Sequence, residues 1–186
     1  MRTMLNSMKK RNSGIPKDII PIFEEIVDRQ KTNKLPEEEY DELFYDAMDK
    51  NLNQEQKYWL FGQNGSCKGT SGDNERKAFA EEHSKLPLGE RVKAHNRRYG
   101  SDLTLNADDT LTLFFVCGHG YYKKVKEKKL KTPPPRVQEY FERCAGGRMY
   151  GLEQALGVKL RIKSVDISPI YEDMKNPVRY TFELIS

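Results

Sequence analysis

Cys117-Gly-His119 is the triplet in which chemistry is most easily written. Side chains two apart on an extended chain share a face, so Cys117 and His119 can address one space at the end of a strand. With a second thiol at Cys144, and with His119 able to favour a thiolate, these three residues form a candidate cysteine nucleophile and its assistant. Joined by Cys67, the same atoms would instead make a sulfur-rich tetrahedral set suited to zinc. The ordinary alternative is a thiol that packs as a small core residue and a histidine bonded to backbone. Either chemical role requires convergence over long stretches of chain.

Three further residues are candidates for holding a ligand. Arg148 follows Cys144-Ala-Gly-Gly147, and its planar fork matches a carboxylate or phosphate. A surface ion pair is its duller role. Tyr121, just past His119, can form a pocket rim or cover a sheet edge. Cys67 sits between glycines in Gly62-Gln-Asn-Gly-Ser-Cys-Lys-Gly69, beside Lys68, which could favour its thiolate. That stretch lacks the Gly-Lys-Ser/Thr ending and the preceding strand of a phosphate loop, so nucleotide binding there is rejected. The chain shows no Ser/His/Asp pattern, no dinucleotide fingerprint and no His-Glu-x-x-His helix.

The elements that must position these residues follow from the hydrophobic pattern. Ile19, Ile22, Phe23, Ile26 and Val27 recur at helical spacing, Pro36 and three glutamates open a second helix, and Asn53 can cap a third. Residues 74–98 continue in helix with a break near Pro87. After Gly100 the period becomes two: Leu103 and Leu105, then Thr110 to Cys117, predict a hairpin around Asn106–Asp109. Leu111, Leu113, Phe115 and Cys117 point one way, Phe114 and Val116 the other, which predicts a central strand or one covered on both faces. A lysine-rich loop and Thr132-Pro-Pro-Pro135 lead into a helix over 136–156, with Gly157 placed as its left-handed cap. Val158, Leu160 and Ile162, then Val178, Tyr180, Phe182 and Leu184, alternate as a second hairpin around a 169–177 loop. Inside the long helix Gly146 and Gly147 each cost about 1 kcal/mol relative to alanine, which close packing or backbone approach to a ligand would offset.

Composition bounds the rest. At 186 residues the chain predicts a single domain, with a mainly helical part over 1–100 and a hairpin-helix-hairpin part over 101–186. Charged residues are 32% and hydrophobic residues 37%, with a mean hydropathy of −0.82, and 8 Phe, 10 Tyr and 1 Trp remain for a core, which excludes wholesale disorder. No apolar run suits a membrane span or a secretory signal, and three widely spaced cysteines do not suggest a disulfide framework; a cytoplasmic protein with no membrane partner is expected. The net charge of +4 is too small to predict nucleic-acid binding, although Lys123, Lys124, Lys126, Lys128, Lys129 and Lys131 form a local patch.

Residues 142–160, Glu-Arg-Cys-Ala-Gly-Gly-Arg-Met-Tyr-Gly-Leu-Glu-Gln-Ala-Leu-Gly-Val-Lys-Leu, and Tyr180-Thr-Phe-Glu-Leu184 resemble the vinyl-reductase-type domain and the related amino-thiazoline carboxylic acid hydrolase-like proteins. The likeness spans about residues 103–185. It implies helices and an antiparallel sheet enclosing a small apolar pocket; some members of the group sense aromatic compounds and others are described as hydrolases. The sensor-type relatives carry a structural zinc on one helix cysteine and two more near the last hairpin. Only Cys144 matches, since 165–170 and 175–179 contain no cysteine, so that metal is not expected here.

The expected fold is α/β in the α+β sense: N-terminal helices packed on a mainly antiparallel sheet of about four strands, with a long helix between two hairpins. The expected function is small-molecule binding between the 136–156 helix and the sheet. A hydrolase with a cysteine nucleophile, and nucleic-acid or protein binding through 123–131, are the alternatives. Cys117, His119 and Cys144 are the candidate catalytic residues; Cys67, Tyr121 and Arg148 are the candidate ligand contacts. No metal ligand is assigned, no cofactor is identified, nucleic acid is disfavoured, and pairing of two copies is left open.

Overall fold

The computed structural model describes residues 1–32, 36–65, 72–117 and 121–185, and among them forms nine α-helices, one 3-10 turn and one four-stranded antiparallel sheet. This is the α+β architecture that the change of hydrophobic period at Gly100 implies. Two compact units divide the chain, Met1–Asn64 and Gly65–Ser186. Among the described residues no helix is long and apolar enough to cross a membrane.

The first unit is helical: α1 (Arg2–Met8), α2 (Ile20–Lys31) after a turn at Lys17–Ile19, α3 (Glu37–Asn51) and α4 (Gln54–Gln63). Proline at 36 precedes α3, where a missing N–H costs nothing. Asn53 caps α4 through a reciprocal box, its side chain accepting from the Gln56 N–H at 2.9 Å while Gln56 Oε1 accepts from the Asn53 N–H at 3.0 Å. Phe23, Phe44, Met48, Leu60 and Phe61 are buried together with Met4 and Met8, and the Phe23 and Phe44 rings lie 5.1 Å apart.

The second unit begins with α5 (Asp73–Glu82) and α6 (Leu88–Tyr99) and then builds the sheet from β1 (Asp102–Leu105), β2 (Thr110–Phe115), β3 (Lys159–Asp166) and β4 (Val178–Ile185) in the order β1-β2-β4-β3. Between β2 and β3 run α7 (Tyr121–Lys126) and α8 (Val137–Leu156); α9 (Pro169–Glu172) lies between β3 and β4. Pairing β2 with β4 joins the two hairpins, with Leu111 opposite Phe182 and Leu113 opposite Tyr180. These residues, with Leu103, Leu160 and Ile162, make the buried face. The opposite face carries charges that pair across strands, Arg161 with Glu183 at 2.5 Å and Arg179 with Asp166 at 2.7 Å.

Helix α8 packs on β3, α6 on β1, and α5 on α8. Phe141, Cys144, Leu152, Ala155 and Leu156 form the buried stripe of α8, each large apolar side chain worth about 1.5–3 kcal/mol in removal from water. Gly157 ends the helix at φ 63, its N–H reaching Glu153 O at 3.0 Å, while Arg91 of α6 donates to the orphan carbonyl of Leu156. The backbone of Gly65 lies against the glycine pair of α8: a Cβ placed on Gly65 would sit 2.2 Å from Gly147 N. Close packing therefore accounts for glycine in the middle of this helix.

Three expectations about local structure are sharpened. β2 is central, one of the two options its pattern allows, and the side that carries Phe114 and Val116 stays open, these residues being 38% and 48% exposed. The segment expected as a lysine loop begins as a helix, since Tyr121 and Val125, four apart, both find buried seats. The 169–177 loop contains α9, which Pro169 starts and Ile170 anchors.

Candidate functional site

A cavity of about 590 Å³ opens within the second unit where β1 starts and β2 ends, walled by α5, the end of α6 and the C-terminal half of α8. Its apolar wall includes Leu113, Leu152 and Ala155; its polar groups include Arg148, Arg76, Glu75 and His95. These arrive from four elements, so the site exists only in the folded unit.

Arg148 places its guanidinium 4.6 Å from the ring centroid of Phe115, a cation–π contact across the cavity wall. Its Nε–H is buried and donates to nothing among the described residues, and no carboxylate pairs with this arginine there. A buried, unused charged donor is expensive unless something accepts from it. Arg76, in contrast, is held by Asp73 at 2.8 Å, and the same Asp73 accepts from the Tyr150 hydroxyl at 2.7 Å, which ties α5 to α8 at the rim.

His95 is only 8% exposed and touches two rings: Phe79 edge-on at 6.0 Å and Tyr99 at 4.7 Å. Burial holds its pKa down at about 4, so the ring is neutral at pH 7. Its Nδ1 lies 2.7 Å from Ser101 Oγ, which in turn lies 2.9 Å from Asn96 Oδ1. Tyr99 also lines the cavity, with a buried hydroxyl that lacks a partner of normal hydrogen-bond geometry among the described residues.

The residues singled out in the sequence separate. Arg148 lines the cavity. Cys117, Cys144 and Tyr121 do not; they form a packed cluster around the N-terminal half of α8. Cys117 Sγ lies 3.4 Å from Tyr140 Oη, and that oxygen accepts from the Tyr121 N–H at 3.2 Å. The hydrogen bond to Cys117, and then burial, push the Cys144 thiol far up, which favours the protonated form. The Tyr121 ring packs edge-on against Phe141 at 5.3 Å. Cys67 and His119 lie outside the described residues, so the full Cys67, Cys117, His119 and Cys144 set does too. Among the described residues no group of three or more His, Cys, Asp and Glu side chains could hold a metal ion.

His95, Tyr99 and Phe115 were missed as site residues. A signal for two of them existed: Leu88, Val92, His95 and Tyr99 recur at helical spacing along α6, putting an imidazole inside an apolar stripe. The lysines of 123–131 are solvated, with Glu127 placed 2.6 Å from Lys129 and 4.0 Å from Lys123.

No protein-family model, no curated protein and no solved structure matches the chain. These comparisons neither support nor refute the expected resemblance to the vinyl-reductase group.

Proposed function

We propose that the second unit is a small-molecule-binding module whose cavity takes an organic carboxylate with an apolar body. The observation that carries this is Arg148: a buried Nε–H without an acceptor among the described residues, on a guanidinium seated over Phe115, at the wall of a cavity of about 590 Å³. An arginine without a carboxylate partner presents a charge that an incoming anion can neutralise, and its fork donates to two oxygens in one plane. Leu113, Leu152, Ala155 and Phe115 supply the apolar surface against which the rest of the molecule packs. The volume is in the range of metabolite and drug-sized sites.

The test is thermal stabilisation and calorimetric titration of the full chain with benzoate, cyclohexanecarboxylate and hexanoate, against the matching primary alcohols. Carboxylates should raise the melting temperature and the alcohols should not. Arg148→Ala should weaken carboxylate binding by about 10- to 100-fold, the loss of one charge-assisted contact, with circular dichroism checking that the variant is folded. Binding of alcohols and acids alike, or full affinity in Arg148→Ala, would remove the proposal.

A further inference from the structure

The hydrogen bonds behind His95 leave only one arrangement of protons. Asn96 Nδ2 donates to Leu103 O at 2.7 Å and Asn96 Oδ1 accepts from Leu103 N–H at 3.1 Å, so the backbone of β1 fixes which end of the amide is oxygen. Ser101 Oγ, 2.9 Å from that oxygen, must therefore donate to it, because Oδ1 carries no hydrogen. A hydroxyl has one proton. With it committed to Asn96, the 2.7 Å contact to His95 Nδ1 can only be an N–H donated by the imidazole to Ser101. A neutral ring protonated at Nδ1 is bare at Nε2.

We infer that His95 is a fixed hydrogen-bond acceptor in the cavity, locked by Asn96 and Ser101 with its Nε2 lone pair unprotonated, and that it selects carboxylates that also carry an O–H or N–H donor. The inference rests on the cavity being the ligand site. The ring is more than nine-tenths buried, lines the cavity and has no Nε2 partner among the described residues. A buried acceptor on the wall of a cavity is satisfied by a ligand that brings a donor and is left unpaired by an isostere that brings none, which is how a pocket discriminates between the two. Arg148 and His95 thus ask for different things of one molecule: negative charge at one place, a polar hydrogen at another. Glu75 and Asp102, also on the lining, are acceptors too and disfavour a second anionic group nearby.

Two measurements test this. The first is two-bond proton–nitrogen correlation of the imidazoles in the full chain at pH 7. His95 should show the Nδ1–H tautomer, with Nε2 in the unprotonated range, and Ser101→Ala should abolish that preference; an Nε2–H tautomer or a charged ring in the unaltered protein overturns the inference. The second is a comparison of hydroxybenzoates with the fluorobenzoates of the same substitution, and of indole-carboxylate with its N-methyl form. At least one donor-bearing member should bind about tenfold or more tightly than its donor-free isostere, and His95→Asn, which keeps a donor toward Ser101 but removes the Nε2 acceptor, should bring that ratio toward one. Equal binding of donors and isosteres, with Arg148 still required, would sink the selectivity and leave the carboxylate site standing. No binding by any of them would remove the carboxylate site itself.

Discussion

Helix α8 carries Cys144 and Arg148 four residues apart on one side, and the two live in opposite surroundings. Around Cys144 the protein is solid: Phe141, Tyr180, Cys117 and Tyr121 are all at least nine-tenths buried. Around Arg148 there is a hollow with a ring floor and a buried donor that the described residues leave unused. A thiol tolerates dry packing because it is nearly apolar, and its weak hydrogen bonds cost little to lose. A guanidinium does not, because it can neither discharge nor do without acceptors. The kind of polar group that a helix carries inward therefore separates core from site better than reactivity on paper does. Cys117 and Cys144 drew attention as nucleophiles; the geometry around them is that of a filled interior.

The largest expected effect tests that division directly. Phe141 is fully buried, in edge-on contact with the rings of Tyr140 at 5.1 Å and Tyr121 at 5.3 Å, so Phe141→Ala should cost about 3–5 kcal/mol in urea unfolding. Phe115 is the same residue type on the cavity wall, only part-buried, and a space already open cannot lose packing twice. Phe115→Ala should cost less than half as much while weakening carboxylate binding through loss of the Arg148 contact. Equal destabilisation by the two would mean that the cavity is as filled as the cysteine cluster.

Much of the scaffold was legible because its signals are local. The alternation Val178, Tyr180, Phe182 needs only a two-residue period, and Gly157 needs only to follow a helical stripe. Asn53 with Gln56 is a cap within four residues. Helix α7 escaped notice because six residues, three of them lysine, are too few to show a period, and only the buried seats of Tyr121 and Val125 make them helical. Arg148 could be named as an anion anchor from its own chemistry. The helical spacing signals His95 as an imidazole in an apolar stripe but not its acceptor role, which depends on Ser101 and on Leu103 of β1 to lock it and on α5 and α8 leaving a gap before it. Part of the sequence-derived constellation, Cys67 and His119, lies outside the described residues.

The next effect in size comes from pH and belongs to the cavity side alone. His95 titrates near 4 in the native state against an ordinary value of 6.5. The unfolded chain takes up this proton below pH 6.5 while the native protein refuses it until about pH 4, so stability is full above 6.5 and falls as the pH drops through that window. The loss on reaching pH 4 is on the order of 3 kcal/mol. Around the ring stand Phe79, Tyr99 and Ser101, with Glu75, Arg76 and Arg148 elsewhere on the same cavity. Urea unfolding of the full chain at intervals from pH 4 to 7, with the His95→Asn curve subtracted, isolates this one group from the carboxylates that also titrate. A difference curve flat across that interval would mean that His95 is not kept neutral by burial.

The smallest effect has the most informative sign, and it lies inside the cysteine cluster. Tyr140 Oη accepts the Tyr121 N–H at 3.2 Å and contacts Cys117 Sγ at 3.4 Å, so Tyr140→Phe removes working hydrogen bonds and should cost about 1 kcal/mol. Tyr180 is more deeply buried, at 0% exposure, yet its hydroxyl sits beside the Cys144 thiol without a hydrogen bond of normal geometry among the described residues. That oxygen has exchanged water for a poorly formed contact with a weak thiol partner. Tyr180→Phe should therefore be neutral or stabilise by up to about 1 kcal/mol, the opposite direction from its neighbour. If Tyr180→Phe instead destabilises as much as Tyr140→Phe, the hydroxyl has a real partner, and the cluster around Cys144 is a connected polar network rather than a core that happens to contain thiols.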